Sequence, residues 1–276
     1  MRYRRRFTIV GCASSPGVPR INGDWGACNP DNPRNRRTRA AFLVEQFAAD
    51  GGCTTIVVDT GPDFREQMIA AKVRRVDAVL YTHAHADHVH GIDDLRGYYT
   101  QQRHRIPIYA DALTMERIRQ GFAYCLETPP GGNYPPIVEP HVIRSMAEPT
   151  IIDGAGGPIS VLAHRQVHGD IYSLGFRFGG VAYCSDVSDF PAESLPRLEG
   201  LDVLVIDALQ HHHHPSHLSL DQALEWIGRL VPRQAVLTHM HIPLDYDAVM
   251  EATPSHVQPA YDGMSFEVEI EVPVSI

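Results

Sequence analysis

Three imidazoles and one carboxylate lie close together in Thr82-His83-Ala84-His85-Ala86-Asp87-His88, which follows the apolar run Ala78–Leu80. Alternate residues of an extended segment face the same way, so His83 and His85 can point into one site. A turn can bring Asp87 and His88 to a neighbouring site. Imidazole and carboxylate together suit zinc, manganese or iron(II). The segment therefore predicts a metal site at the end of a buried strand; the alternative is a solvated loop that happens to be rich in histidine.

The composition narrows the class of protein. The chain has 276 residues with 43% hydrophobic residues, and no segment resembles an interdomain linker, so we predict a single domain over 1–276. A net charge of −9 makes a long nucleic acid an unexpected partner. No apolar run approaches 18 residues, so we expect no membrane span. The five cysteines show no C-x-x-C spacing, and the first apolar run is too short for a signal peptide, so we expect a cytoplasmic protein.

The rest of the chain alternates short β-rich runs with helical stretches. The clearest helix is Leu218–Leu230, where apolar residues follow helical spacing after a polar start. Strands that alternate with helices predict an α/β layered fold with the helices outside. The Pro-rich segment Glu127–Pro140 is interpreted as one long surface loop. The predicted strands are Phe7–Gly11, Ala41–Phe47, Thr55–Asp59, Ala78–Thr82, Ile106–Ala110, Ile159–His164, Tyr172–Phe178, Val181–Ser185, Leu201–Asp207, Gln234–His239 and Phe266–Val272; the other predicted helices are Phe64–Ala71, Leu113–Phe122 and Tyr246–Ala252.

The H-x-H-x-D-H run resembles the signature of the metallo-β-lactamase-fold hydrolases. That family needs a further His, Asp and His downstream, each near the end of a strand. His168, Asp186 and His239 occur in this order in Val167-His168-Gly169, Ser185-Asp186 and Thr238-His239. The resemblance covers nearly the whole chain and implies an αββα sandwich, in which two mixed sheets pack face to face with helices outside.

The resemblance also implies two divalent metal ions, zinc or manganese with iron as a third candidate. One ion would take His83, His85 and His168; the other would take Asp87, His88 and His239. Asp186 would bridge the two ions. Asp59 would hold the metal loop, His83–His88, and orient its ligands. Two metals with two carboxylates and a bridging hydroxide keep a net positive charge, which favours an anionic substrate such as a phosphodiester.

A second histidine cluster, His211-His212-His213-His214-Pro215-Ser216-His217, lies between the Asp186 and His239 motifs. His217-Leu218-Ser219 resembles the phosphodiesterase branch of the family, which includes tRNase Z and, more similar to this chain, the PhnP-like (phosphoribosyl cyclic phosphodiesterase) proteins. The branch implies that His217 stabilises the transferring phosphoryl group or protonates the leaving oxygen. We count Asp87 and His217 as the catalytic residues. His214 is expected to orient His217, whereas His211, His212 and His213 are interpreted as exposed loop residues.

Three residues outside the metal motifs are candidates for contact with the substrate: Arg34, Arg37 and His241. In the run Pro33–Arg39, Arg34 and Arg37 either belong to a solvated basic loop or bind phosphate. His241 follows His239 by two positions, where it could face the site or line its rim. The PhnP-like branch carries an N-terminal cysteine cluster that binds a structural zinc, but only Cys28 remains here, so we predict no zinc at that place.

Taken together, the residues and the resemblance predict a binuclear metal-dependent hydrolase. The expected substrate is a small, anionic, cyclic or nucleotide-like phosphodiester, attacked by a metal-bound hydroxide. The alternatives are a thioester or lactone hydrolase of the same fold, an RNA-processing nuclease, and a non-catalytic member that only binds a ligand. A homodimer stays open as an oligomeric state, because relatives often pair.

Overall fold

A computed structural model describes residues 2–271, and two seven-stranded mixed sheets form its centre. The strands are β1 Arg2–Gly11, β2 Ala41–Phe47, β3 Cys53–Val58, β4 Ala78–Leu80, β5 Ile106–Ala110, β6 Val138–Val142, β7 Thr150–Ile152, β8 Ile159–His168, β9 Ile171–Phe178, β10 Val181–Cys184, β11 Val203–Asp207, β12 Gln234–Thr238, β13 Val257–Pro259 and β14 Met264–Glu271. The helices are α1 Phe64–Ala70, α2 Ala86–Val89, α3 Leu95–Gln102, α4 Ala112–Leu126, α5 Leu220–Leu230 and α6 Tyr246–Ala252.

The strand order places the strands that precede the candidate ligands beside each other. The first sheet runs β14-β1-β2-β3-β4-β5-β6 and the second runs β13-β12-β11-β10-β9-β8-β7. β3, β4 and β5 are parallel, as are β10, β11, β12 and β13. β9 is antiparallel to both β8 and β10, so β8 runs in the same direction as β10. The carboxyl ends of β8, β10, β11 and β12 therefore share one edge.

Aromatic side chains fill the space between the two sheets. Phe42 stacks on Tyr183 across the interface with ring centroids 4.7 Å apart, and Phe7 meets Phe178 edge-on. The outer face of the first sheet packs on α1, α3 and α4 through a separate apolar cluster. α5 begins with a capping box between Ser219 and Gln222, which satisfies free backbone N–H groups, and it buries Trp226 and Ile227. The predicted αββα sandwich is confirmed.

Several local predictions need correction. The segment Glu127–Pro140 is not loop throughout, because its last residues start β6, and β7, β13, α2 and α3 were not predicted. β1 begins at Arg2 rather than Phe7, since its polar end pairs with β14 and β2. Of the predicted strand Phe266–Val272, Val272 lies outside the described residues. Short and edge strands carry too few alternating apolar residues to stand out from loops in a sequence.

Among the helices of residues 2–271, none combines the length and the apolar composition that a membrane crossing requires.

Candidate metal centre

The predicted ligands collect where strands of the two sheets end. His83 comes three residues after β4, His168 is the last residue of β8, and His239 directly follows β12. Asp59, Asp186 and His239 adopt left-handed backbone with φ of 66°, 57° and 59°. Residues other than glycine rarely adopt this backbone conformation, and those that do are concentrated at functional sites. A hydrogen bond from Leu174 N–H to the Thr82 carbonyl ties the second sheet to the metal loop.

The imidazoles of His83, His85 and His168 form the first group of candidate metal ligands. His83 Nε2 lies 2.8 Å from His85 Nδ1, which lies 3.3 Å from His168 Nε2. One ring nitrogen of each residue falls within 4.8 Å of the other two. His83 and His168 are buried, whereas His85 is exposed and opens this group to solvent. Three convergent imidazole nitrogens can hold one divalent ion.

Asp186 lies between this group and a second group of candidate ligands, which consists of Asp87, His88 and His239. Its Oδ2 is 3.2 Å from both His88 Nε2 and His239 Nδ1, and its Oδ1 is 3.9 Å from His83 Nε2 and from His168 Nε2. Asp87 Oδ2 approaches His88 Nε2 at 3.4 Å. The two oxygens of Asp186 therefore face different groups of imidazoles, as a carboxylate shared by two metals must.

The hydrogen bonds behind the ligands suit metal binding. His88 Nδ1–H donates to Asp59 Oδ2 at 2.7 Å, and His168 Nδ1–H donates to the Ser216 carbonyl at 2.8 Å. These bonds leave the Nε2 lone pair of each ring directed to the centre. Among the described residues, the buried His88 Nε2 has no hydrogen-bond partner. A cation between His88, Asp87 and Asp186 would satisfy this nitrogen, so the residues fit the predicted metals.

Charge around His88 supports the same conclusion. Burial lowers the pKa of His88, but the carboxylates of Asp186, Asp59 and Asp87 outweigh burial and hold the pKa well above its usual range. Burial tends to raise the pKa of Asp186, but His239 and His88 outweigh it and hold the pKa well below its usual range. The position thus attracts positive charge, which either a proton or a metal ion can provide.

Asp59 lies behind the metal loop. Its two oxygens accept hydrogen bonds from the Thr82 N–H and the Thr82 hydroxyl, both at 2.8 Å, in addition to the bond from His88. The carboxylate is fully buried. It therefore connects the end of β3 to the metal loop and holds the His88 ring in one orientation.

His217 lies beside the ligands and has its own carboxylate partner. Its Nδ1–H donates to Asp207 Oδ2 at 2.7 Å, and its ring centroid lies 4.7 Å from that of His239 and 4.8 Å from that of His168. Burial lowers the pKa of His217, but Asp207 outweighs it and raises the pKa to about 9. One ring nitrogen of His217 also falls within 4.8 Å of ligand atoms of His168 and Asp186.

The remaining predicted site residues vary in their placement. His214 lies with its ring 5.2 Å from that of His217, and its Nδ1 accepts a hydrogen bond from Ser216 N–H rather than contacting His217 directly. His241 is nearly buried; its Nδ1 lies 3.0 Å from the Ser14 hydroxyl, and its Nε2 accepts from Arg20 at 2.5 Å. Both ring nitrogens of His241 thus contact the N-terminal loop.

Arg34 and Arg37, for which a solvated loop and phosphate binding were both open, differ in their placement. Arg37 is 2% exposed and donates to the Leu244 carbonyl and to Asn35 Oδ1, so it stabilises the fold from inside and is not a loop cation. The exposed Arg34 guanidinium lies over the rings of Tyr246 and Tyr261. Neither contacts a predicted ligand among the described hydrogen bonds.

Sequence reasoning missed two polar residues of the site. Asp207 positions His217, and the Thr82 hydroxyl lies between Asp59 and the rings of His83 and His88. The sequence carried a signal for Asp207, since an acidic residue ends the apolar run Val203–Ile206 between two ligand-bearing strands. A single threonine beside a His-rich segment carries no comparable signal.

Comparison with known proteins places the chain in a family. The beta-lactamase superfamily domain matches residues 54–240. A crystal structure of a diphosphatase from the PhnP family is 32% identical, with a TM-score of 0.86, and the match covers 99% of this chain and 100% of that one. Zinc-bound PqqB from Methylobacterium extorquens is 18% identical with a TM-score of 0.72, over 95% of this chain and 99% of that one, a similarity of fold alone.

A curated relative has a different name. An octanoyltransferase of Porphyromonas gingivalis (strain ATCC BAA-308 / W83) is 32% identical over 267 residues, which make up 94% of this chain and 51% of that protein. The chain thus spans about half the length of this relative. From the matched domain, the 32% identity over the whole PhnP-family diphosphatase and the strand-end ligands, we conclude that the chain belongs to the metallo-β-lactamase-fold hydrolases and, within them, to the PhnP family.

Proposed function

We propose that this hydrolase cleaves a phosphodiester or phosphoanhydride bond in a small cyclic or nucleotide-like molecule, using two divalent metal ions. The observation that carries the proposal is the His217–Asp207 pair, a protonatable imidazole beside both groups of candidate ligands. The diphosphatase of the PhnP family supports cleavage at phosphorus, because it is 32% identical over its whole chain.

A histidine in this position matches the needs of phosphoryl transfer. Asp207 accepts from His217 Nδ1–H, and when the ring is protonated its other nitrogen carries a proton that it can donate. An alkoxide leaving group needs that proton, and a positioned general acid is worth about 10²–10⁴ in rate. Asp207 is buried and also accepts from Val187 N–H at 3.0 Å, which holds the carboxylate and the ring it orients in place.

The proposed metal positions divide among the residues described above. His83, His85 and His168 would hold one ion; Asp87, His88 and His239 would hold the other, with Asp186 between them. When bound, two divalent ions neutralise charge on the phosphoryl oxygens and lower the pKa of a water molecule. Zinc and manganese are the first candidates, since the donor set is imidazole and carboxylate. PqqB, whose fold is similar, is a zinc-bound protein.

The test compares leaving groups in a His217→Ala variant. We expect kcat for a dinucleotide, whose leaving group is an alkoxide, to fall by about 10²–10⁴. The loss on bis(p-nitrophenyl) phosphate should be much smaller, because p-nitrophenolate departs without a proton. Bound metal should be unchanged. His213→Ala is the matched control, since His213 is an exposed histidine of the same loop. Equal losses on both substrates, or a loss of metal, would show that His217 is a ligand or a structural residue.

A thioester hydrolase is the second candidate, and the octanoyltransferase name of the Porphyromonas gingivalis relative favours it. Side-by-side assays with bis(p-nitrophenyl) phosphate and an octanoyl thioester distinguish the two. If the thioester has the higher kcat/KM, the phosphodiesterase proposal is wrong.

A further inference from the structure

A cavity of about 810 Å³ adjoins the first group of ligands. His83 and His85 are among its lining residues. One wall is the first two turns of α4, which contribute Leu113 and Arg117; the other is the β8–β9 hairpin with Arg165, Ile171 and Tyr172. A molecule bound here would have one end at the candidate metal ligands and the other against these two walls.

Three large apolar side chains of this cavity are exposed. Leu113 is 79% exposed, Tyr172 54% and Ile171 43%. Single exposed apolar residues are common on protein surfaces, but three on one concavity beside a reaction centre are typical of a ligand site. Leu113 lies in the first turn of α4, where Asp111 caps the helix and the side chain of Leu113 is not needed for its start.

The charges of the cavity differ from those of the metal centre. Two cations, Arg117 and Arg165, face three carboxylates, those of Asp111, Glu116 and Asp170. This near balance offers no attraction to a second phosphate. The Arg165 guanidinium lies over the Tyr172 ring at 5.5 Å from its centroid, so one aromatic face in the cavity is held in place by a cation. The Tyr172 ring, held in this way, is suited to stack on an uncharged planar ring.

We propose that the cavity binds a nucleobase-sized, uncharged aromatic ring of the substrate, stacked on Tyr172 and flanked by Leu113 and Ile171, while the phosphoryl group lies at the metal ligands. The proposal rests on the proposed function, because it takes the substrate to be a phosphoester. Tyr172, Leu113 and Ile171 then determine which phosphoesters are preferred, whereas the metal ligands and His217 act on all of them.

The test uses the metal-loaded protein and three diesters with one leaving group: the p-nitrophenyl phosphates of thymidine (5′-linked), methanol and n-octanol. Stacking on one aromatic ring predicts that kcat/KM is about tenfold higher for the thymidine ester than for the methyl ester. Tyr172→Ala should remove this advantage mainly through KM and leave the methyl ester unchanged. Tyr172→Phe keeps the ring and should keep the advantage. Tyr134→Ala is the matched control, because Tyr134 is a 70% exposed tyrosine outside the cavity.

Each other outcome has a defined meaning. An octyl ester that gains as much as the thymidine ester, or equal effects of Tyr172→Ala on all three esters, would overturn the assignment of a planar ring. Dissociation of a dimer by Tyr172→Ala in sedimentation would assign the surface to a second copy of the chain and also overturn it. If no ester is hydrolysed, the proposed function fails; calorimetric titration with thymidine 5′-monophosphate and methyl phosphate then tests the cavity alone, and equal affinities would overturn it.

Discussion

The two histidine-rich segments have similar compositions and very different structures. The metal loop, His83–His88, lies at the end of β4 and buries His83 and His88 at the junction of the two sheets. In the loop before α5, His211, His212 and His213 are exposed, and their imidazoles make no hydrogen bond to any residue that the structure describes. Only His217, the last of that cluster, approaches the centre.

The difference teaches that a buried carboxylate behind the ring marks two of the candidate histidines, His88 and His217, in a way that local histidine density does not. Asp59 backs His88 and Asp207 backs His217, each with a hydrogen bond of 2.7 Å. His164 shows the converse within β8. It is buried, its Nε2 lies 3.5 Å from Cys184 Sγ, and burial lowers its pKa to about 3, so it acts as a packed core residue four positions from the candidate ligand His168.

The largest expected effect is at Asp186, which joins the two groups of ligands. Asp186→Ala should lower kcat/KM for a phosphodiester by more than about 100-fold, since loss even of a residue behind a ligand costs 10–100-fold. Metal content after dialysis should fall at the same time. Asp189→Ala, at an exposed carboxylate three residues further on, is the control and should retain both properties. Full metal content in Asp186→Ala would remove Asp186 from the set of ligands.

Asp59 should show an intermediate effect. Asp59→Asn replaces the acceptor that orients His88 and should weaken metal binding by about 10–100-fold, measured by competition with a chelating dye. Asp31→Asn changes an exposed aspartate and should leave the affinity unchanged. An unchanged affinity in Asp59→Asn would break the proposed link between a buried carboxylate and a functional histidine.

The smallest effect is expected for the exposed histidines. Replacing His211, His212 and His213 together with alanine should change the free energy of unfolding by no more than about 0.5 kcal/mol, as is usual for surface positions. Metal content and kcat/KM should not change, because the three side chains are exposed. A clear loss of bound metal in this triple variant would mean that the loop supplies ligands, and the contrast between the two clusters would disappear.

Local sequence patterns indicated which histidines converge, but not where the arginines of the Pro33–Arg39 run lie. His83, His85 and His168 were predicted as one group, and their nitrogens converge in the structure. Arg37 was expected either in a solvated basic loop or at a phosphate, but it lies inside the protein, where its guanidinium donates to the Leu244 carbonyl. A run of arginines looks solvated in a sequence, because the buried partner of one member, here more than 200 positions away, leaves no local trace.

The alternation of strands and helices predicted the α/β class, and the resemblance carried by the H-x-H-x-D-H run and the residues downstream of it implied the αββα sandwich and the candidate ligands. Both depend on short segments in which an apolar strand ends in a side chain that can bind metal. Long-range packing was needed for the rest. It places Asp207 behind His217, orients Asp186 towards both groups of imidazoles, and brings Leu113 of α4 and Tyr172 of β9 to one cavity. These contacts join residues far apart along the chain, and a hydrogen bond or a shared cavity depends on distances that only the packing of the two sheets sets.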